Sequence, residues 1–123
     1  MASLVNKQST RVDYSQLLDA ALTNTVVSDA FGKSGTLYMI FIDNKDGSAT
    51  ANFLKLYDTK EVVTEGTSLP THVIPIGDNV MELYHFPEGI KFSQGLAYVS
   101  SQTGGTAAGS APGATMTMQM VFK

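Results

Sequence analysis

From Thr25 onward the apolar positions of the chain recur with a period of two, the spacing that sends alternate side chains to opposite faces of a strand. Gly35 to Asp43 reads as a strand apolar on both faces, with Leu37, Met39 and Phe41 on one and Tyr38, Ile40 and Ile42 on the other. That is the pattern of a central strand covered on both sides. Asp43 to Ser48 reads as a turn in which Gly47 supplies a positive φ. Asn52 to Asp58 returns as the partner strand, with Leu54 and Leu56 facing one way and Phe53, Lys55 and Tyr57 the other. His72 to Ile76 and Val80 to Phe86 are further strands joined by Gly77-Asp78-Asn79, and Pro75 assigns the first of them to an edge or a bulge. Pro87-Glu88-Gly89 reads as a turn, Gly95 to Ser101 as a strand, and Gln102 to Gly113 as a long mobile loop without an apolar anchor. The last strand, Ala114 to Lys123, alternates most clearly, with Met116, Met118, Met120 and Phe122 on one face. This stripe reads as sandwich interior; an adaptable surface for a partner chain is the alternative.

Residues 1–24 follow a different pattern and read as an N-terminal arm that orders by docking, set apart from a β domain over residues 25–123. Within the arm, residues 13–22 offer a short helix capped by Asp13 or Ser15, with Leu18, Ala21 and Leu22 on one face. Ten such residues alone are marginal as a helix. With a short strand around Val26 and Val27, the turn spacing predicts an all-β fold, an antiparallel two-sheet β-sandwich of about seven strands, with a jelly roll as one form of it.

Composition narrows the chemistry. Charged residues are 15% of the 123, against an ordinary share of about 25%, so some surface is expected to be covered in the working state. A net charge of −3, with Arg11 the sole arginine and the lysines scattered, gives no basic face for direct nucleic-acid binding. The absence of cysteine removes disulfides and thiolate chemistry. No apolar run reaches the length of a signal peptide or a membrane span, so a soluble product of the cytoplasm without a membrane partner is expected.

Little in the sequence points to a catalytic or metal site. His72 and His85 could approach each other if their strands were neighbours, but a metal would need a third ligand such as Glu82 or Asp78. Aligning Gly47 with the glycine of a calcium loop puts Ile42 and Phe53 where carboxylates belong. The glycines of 104–113 lack a phosphate-loop lysine, and no serine sits in a nucleophile elbow. Glu82 and Glu88 have no signature of a glycosidase pair. The expectation is a chain with no catalytic residue, cofactor or metal.

Three runs carry a resemblance: Asn52-Phe53-Leu54-Lys55-Leu56-Tyr57-Asp58, then Thr67 to Ile76 with Leu69-Pro70 and Ile74-Pro75-Ile76, then Gly89-Ile90-Lys91-Phe92-Ser93-Gln94-Gly95-Leu96. Together with the Gly/Ala/Ser/Thr-rich loop and one last strand, they resemble small virion structural proteins of tailed bacteriophages over residues 24–123. The resemblance implies a β-sandwich present in many copies on a phage particle, made in the host cytoplasm and placed at the capsid surface. Its expected role is a capsid decoration (cement) protein that binds the major capsid protein and self-associates. The alternative is a tail or head-fibre component that binds host surface glycans, with Tyr57, Tyr84 and Tyr98 as stacking platforms. In the leading role the arm supplies the candidate partner contacts: Leu4, Val5, Arg11, Tyr14, Leu17 and Leu18.

Overall fold

The computed structural model describes residues 5–9, 14–45, 52–77, 80–113 and 115–123. Among them are eight strands and no helix: β1 (Val5–Ser9), β2 (Ser15–Asp19), β3 (Gly35–Asp43), β4 (Asn52–Asp58), β5 (His72–Ile76), β6 (Met81–Phe92), β7 (Leu96–Ser101) and β8 (Thr117–Phe122). They form two antiparallel sheets, a larger one in the order β1-β2-β8-β3-β6 and a smaller one in the order β5-β4-β7. This is the expected all-β sandwich. The strands read at 35–43, 52–58 and 72–76 keep their bounds, and β5 with Pro75 does lie at a sheet edge.

The core lies between the sheets and is organised around β8. Met116, Met118, Met120 and Phe122 are all buried, so the stripe is interior. Register carries it across the larger sheet: Leu17, Met120, Ile40 and Tyr84 form one row, and Asp19, Met118, Ile42 and Glu82 the next. Leu54, Leu56, Ile76, Leu96 and Tyr98 meet these rows from the smaller sheet. Phe31 closes one end, stacked on Phe122 at 4.0 Å between ring centres and edge-on to Phe92 at 6.0 Å.

Three readings of the sequence are corrected. Residues 15–19, placed in a short helix, are β2, and the segment read as an arm supplies two strands of the larger sheet. The ladder to β8 decides it: five residue pairs outweigh the weak propensity of a short helix, and they turn Leu17 into the core and Leu18 outward. Nor does Pro87-Glu88-Gly89 end a strand. Leu37 pairs with Ile90 and Met39 with His85, so residues 86–89 of β6 bulge out opposite Tyr38 alone. Gly89 has φ +78° there, and a Cβ on it would fall 2.3 Å from Thr36 Cγ2. The same irregularity offsets Tyr38 against β8, so Leu37, Ile40 and Ile42 all reach the core while Met39 and Phe41 turn outward.

The third correction concerns residues 102–113, read as a mobile loop. They fold over the outer face of the smaller sheet together with residues 61–66. Lys55, on that face, is fully buried; its Nζ binds Glu65 Oε2 at 2.8 Å and the Ala107 carbonyl at 2.7 Å. Ser101 donates to the same Glu65 oxygen at 2.6 Å. Gly66 N–H binds the Thr106 carbonyl, Gln102 Nε2 the Ala111 carbonyl, and Asn24 Nδ2 the Gly109 carbonyl. A Cβ on Gly109 would lie 2.6 Å from Thr103 Oγ1, so the close fold of the loop needs glycine there. Beneath this roof Tyr57, Val63, Ala97 and Val99 form a second apolar cluster.

Residues 23–30 run along the free edge of β7. Ser100 N–H binds the Thr23 carbonyl, Val27 exchanges both backbone bonds with Tyr98, and Ala30 N–H binds the Leu96 carbonyl. The strand expected at Val26 and Val27 is thus a single bridge at Val27 within an irregular edge segment. A polar contact joins the sheets next to it: Tyr98 of β7 donates its hydroxyl to Asp19 Oδ2 of β2 at 2.5 Å, both residues being buried. Asp19 Oδ1 accepts from Ala21 N–H. Burial, then the bond to Asp19, raises the Tyr98 pKa far above its usual value.

Two stability predictions follow from these polar contacts. Glu65→Ala leaves the buried Lys55 ammonium without its counter-charge and is expected to cost about 3–5 kcal/mol. Urea denaturation measures this, and limited proteolysis should then open residues 102–113; an unchanged urea midpoint would show that the pair does not hold the roof. Tyr98→Phe strands Asp19 Oδ2 and should cost about 1–3 kcal/mol. Because the folded state holds the Tyr98 proton above the unfolded value, stability is complete below about pH 10 and is lost as pH rises beyond it. The loss of stability above pH 10 should therefore be shallower in Tyr98→Phe than in the parent chain, as read from urea midpoints along an alkaline series.

Candidate functional site

The two outer faces of the sandwich differ. Over β4 and β7 the outer face of the smaller sheet is roofed by the chain itself, with Val73 and Pro75 of β5 left exposed, whereas the outer face of the larger sheet is bare among the described residues. Register places Gln16, Val121, Met39 and His85 in one row across it, and Leu18, Gln119, Phe41 and Leu83 in the next. Met81 follows on β6, opposite Asp43. Leu83 is 60% exposed, Met81 57% and Leu18 38%, and Met39, Phe41 and Val121 are half-buried. The centre of the face carries no charge. Asp43 stands at one end, and Lys91 and Lys123 at the other. Between Leu18 and Phe41, Gln119 Nε2 donates to Gln16 Oε1 at 3.1 Å, which leaves amide groups to meet a partner.

At the Lys123 end the face dips into an open hollow of about 250 Å³ lined by Tyr14, Tyr38, Met39, His85, Pro87 and Val121. The rings of Tyr14 and Tyr38 meet edge to face at 5.4 Å, and Lys123 Nζ lies 5.8 Å from the centre of the Tyr14 ring. Pro87, in the β6 bulge, forms part of the wall of this hollow.

Of the candidate contacts read from sequence, Leu4 and Arg11 lie outside the described residues. Val5 lies in β1, its backbone opposite Asp19. Tyr14 and Leu18 stand on the bare face, while Leu17 is fully buried in the core and has no surface to offer. Met39, Phe41, Met81, Leu83 and Val121 share this face and were not among the candidates. Their signal was the apolar character of both faces of β3: one face meets the core, and the cover for the other does not come from the described part of this chain.

The remaining chemistry-bearing residues separate. His72 stands on the inner side of β5 with its ring edge-on to Phe92, and His85 on the outer side of β6, in different sheets rather than neighbouring strands. Glu82 Oε1 accepts from Gly77 N–H at 2.6 Å, and Glu82 Oε2 accepts from the Tyr84 hydroxyl at 2.5 Å, while Glu88 rides the exposed bulge. Burial and the bond to Glu82 raise the Tyr84 pKa. Asp78 and Gly47 lie outside the described residues. No group of three His, Asp or Glu among the described residues could hold a metal ion. Tyr57 and Tyr98 are buried and Tyr84 points inward, so none of these three can serve as a stacking platform for sugar. The aromatic pair that lines the surface hollow is Tyr14 with Tyr38, both half-buried.

Compared with protein-family models, curated proteins and solved structures, the chain finds no match in any of the three.

Proposed function

We propose that this chain is a structural subunit of a tailed-bacteriophage virion, a decoration protein that docks on the major capsid protein through the outer face of its larger sheet. The observation that carries the reading is the contrast between the two outer faces. A contiguous apolar surface left open on a small sandwich marks an interaction site, and Leu18, Phe41, Val121 and Gln119 combine apolar area with hydrogen-bonding amides, as interface cores do.

The phage-like runs at 52–58, 67–76 and 89–96 supply the identity of the partner. The winding agrees with it. With residues 23–30 counted as a strand, β2-β8-β3-β6 faces (23–30)-β7-β4-β5, and we read this as a jelly roll, an architecture found in viral capsid and lectin domains. The site of action is then the capsid surface, where many copies add avidity to a modest single contact.

The fibre reading has one observation in its favour, the hollow between Tyr14 and Tyr38, where a sugar ring could stack. One set of variants separates the two readings. Phe41→Glu and Leu18→Glu, which place carboxylates on a half-open surface, should leave the thermal melt within a few degrees of the parent. They should weaken binding to undecorated phage heads at least tenfold, about 1.4 kcal/mol. Parent-like occupancy of heads by Phe41→Glu would overturn the docking face. Retention on a glycan array that disappears in Tyr14→Ala but persists in Phe41→Glu would move the protein to a fibre.

A further inference from the structure

The strand edges of the sandwich are not treated alike. Exposed edges invite pairing with another chain, and natural sandwiches blunt them with proline, lysine, bulges or covering segments. The β7 edge is covered by residues 23–30, and the β5 edge carries Pro75, which has no N–H. The second half of β6 is guarded by the bulge at 86–89 and by Pro87.

Among the described residues the first half, Met81 to Phe86, has none of these devices. It pairs with β3 on one side only, so alternate peptide groups point outward along the other. Its exposed side chains, Met81, Leu83 and His85, include no lysine and no carboxylate. The one carboxylate on this stretch, Glu82, points inward and is engaged by Gly77 and Tyr84.

We infer that two copies of this chain join edge to edge through residues 81–86 of β6, making one continuous antiparallel sheet across a two-fold axis at Leu83. A second copy is the occupant because this edge complements itself. Antiparallel pairing about Leu83 sets Leu83 against its own counterpart and Met81 against His85, apolar contacts that need no charge partner. It also turns the acidic Asp43 end of each copy toward the basic Lys91 and Lys123 end of the other. The join ends where the bulge begins, which fixes its register. It extends the bare face of one copy into that of the next. This inference rests on the reading of the chain as an assembly subunit and gives its self-association a site.

Sedimentation equilibrium of the full chain tests it. The parent should show twice the single-chain mass at tens of micromolar and dissociate on dilution. Leu83→Lys and Met81→Lys, both at exposed positions, should each give the single-chain mass with an unchanged melt, because an edge lysine blocks strand addition. Val62→Lys, at an exposed position on the opposite side of the sandwich, should remain double. A parent of single-chain mass throughout, or a Leu83→Lys protein that keeps the double mass, would overturn the inference. A single-mass parent that still decorates heads would sink the edge join alone and leave the capsid reading standing. A double-mass parent that does not bind heads would do the reverse.

Discussion

The phase of β8 is the constraint on which the rest of the molecule depends. With Met116, Met118, Met120 and Phe122 between the sheets, Thr117, Gln119, Val121 and Lys123 face outward. A slip of one residue would send Gln119 and Lys123 into the core without partners, so the register is strongly specified. Because β8 sits between β2 and β3, its phase is passed to both. It sets Leu17 inward on β2, and it forces the offset at Tyr38 that lets Leu37 and Ile40 share the core. Methionine suits this position, since flexible thioethers fill the gaps left where two irregular neighbours meet.

The same constraint produces the asymmetry between the outer faces. Once Leu37, Ile40 and Ile42 are committed inward, Met39 and Phe41 have no core to enter and remain at the surface beside Val121 and Leu18. On the smaller sheet the equivalent outward residues are Lys55 and Tyr57, and there the chain supplies its own cover. That cover is held by one buried ion pair, a set of backbone carbonyls and the buried side chain of Val63. The result is one face largely covered from within and one left open among the described residues.

These origins explain what could be read from sequence. The bounds of β3, β4 and β5 were legible because each is a short run rich in apolar and β-branched residues with turn signals nearby, although the irregularity at Tyr38 puts Leu37 on the opposite face of β3 from the one its sequence position suggested. The inward stripe of β8 was equally plain. What failed were elements whose form is decided at a distance. Ser15 to Asp19 has a single inward leucine and an inward aspartate, too little alternation to outweigh a helical reading, and only the β8 ladder makes it a strand. Pro87 and Gly89 signal a turn locally, yet β6 resumes beyond them because Ile90 still has Leu37 to pair with. The loop at 102–113 gave no hint of order, since its anchors are main-chain carbonyls, which every sequence possesses. The bare face was half legible: β3 announced two covered sides, but not that one cover would be missing among the described residues.

The way residues 102–113 are held has a consequence for variation. Lys55, Gly66, Asn24 and Gln102 grip the carbonyls of Ala107, Thr106, Gly109 and Ala111, while the side chains of Ala107, Ala108, Ser110 and Ala111 point into solvent. Selection for a stable roof therefore acts on Lys55, Glu65 and Gly109 and hardly at all on the residues between them. The outward surface of this loop can drift, or be rewritten to carry a foreign recognition sequence, while the path of the backbone beneath it stays the same.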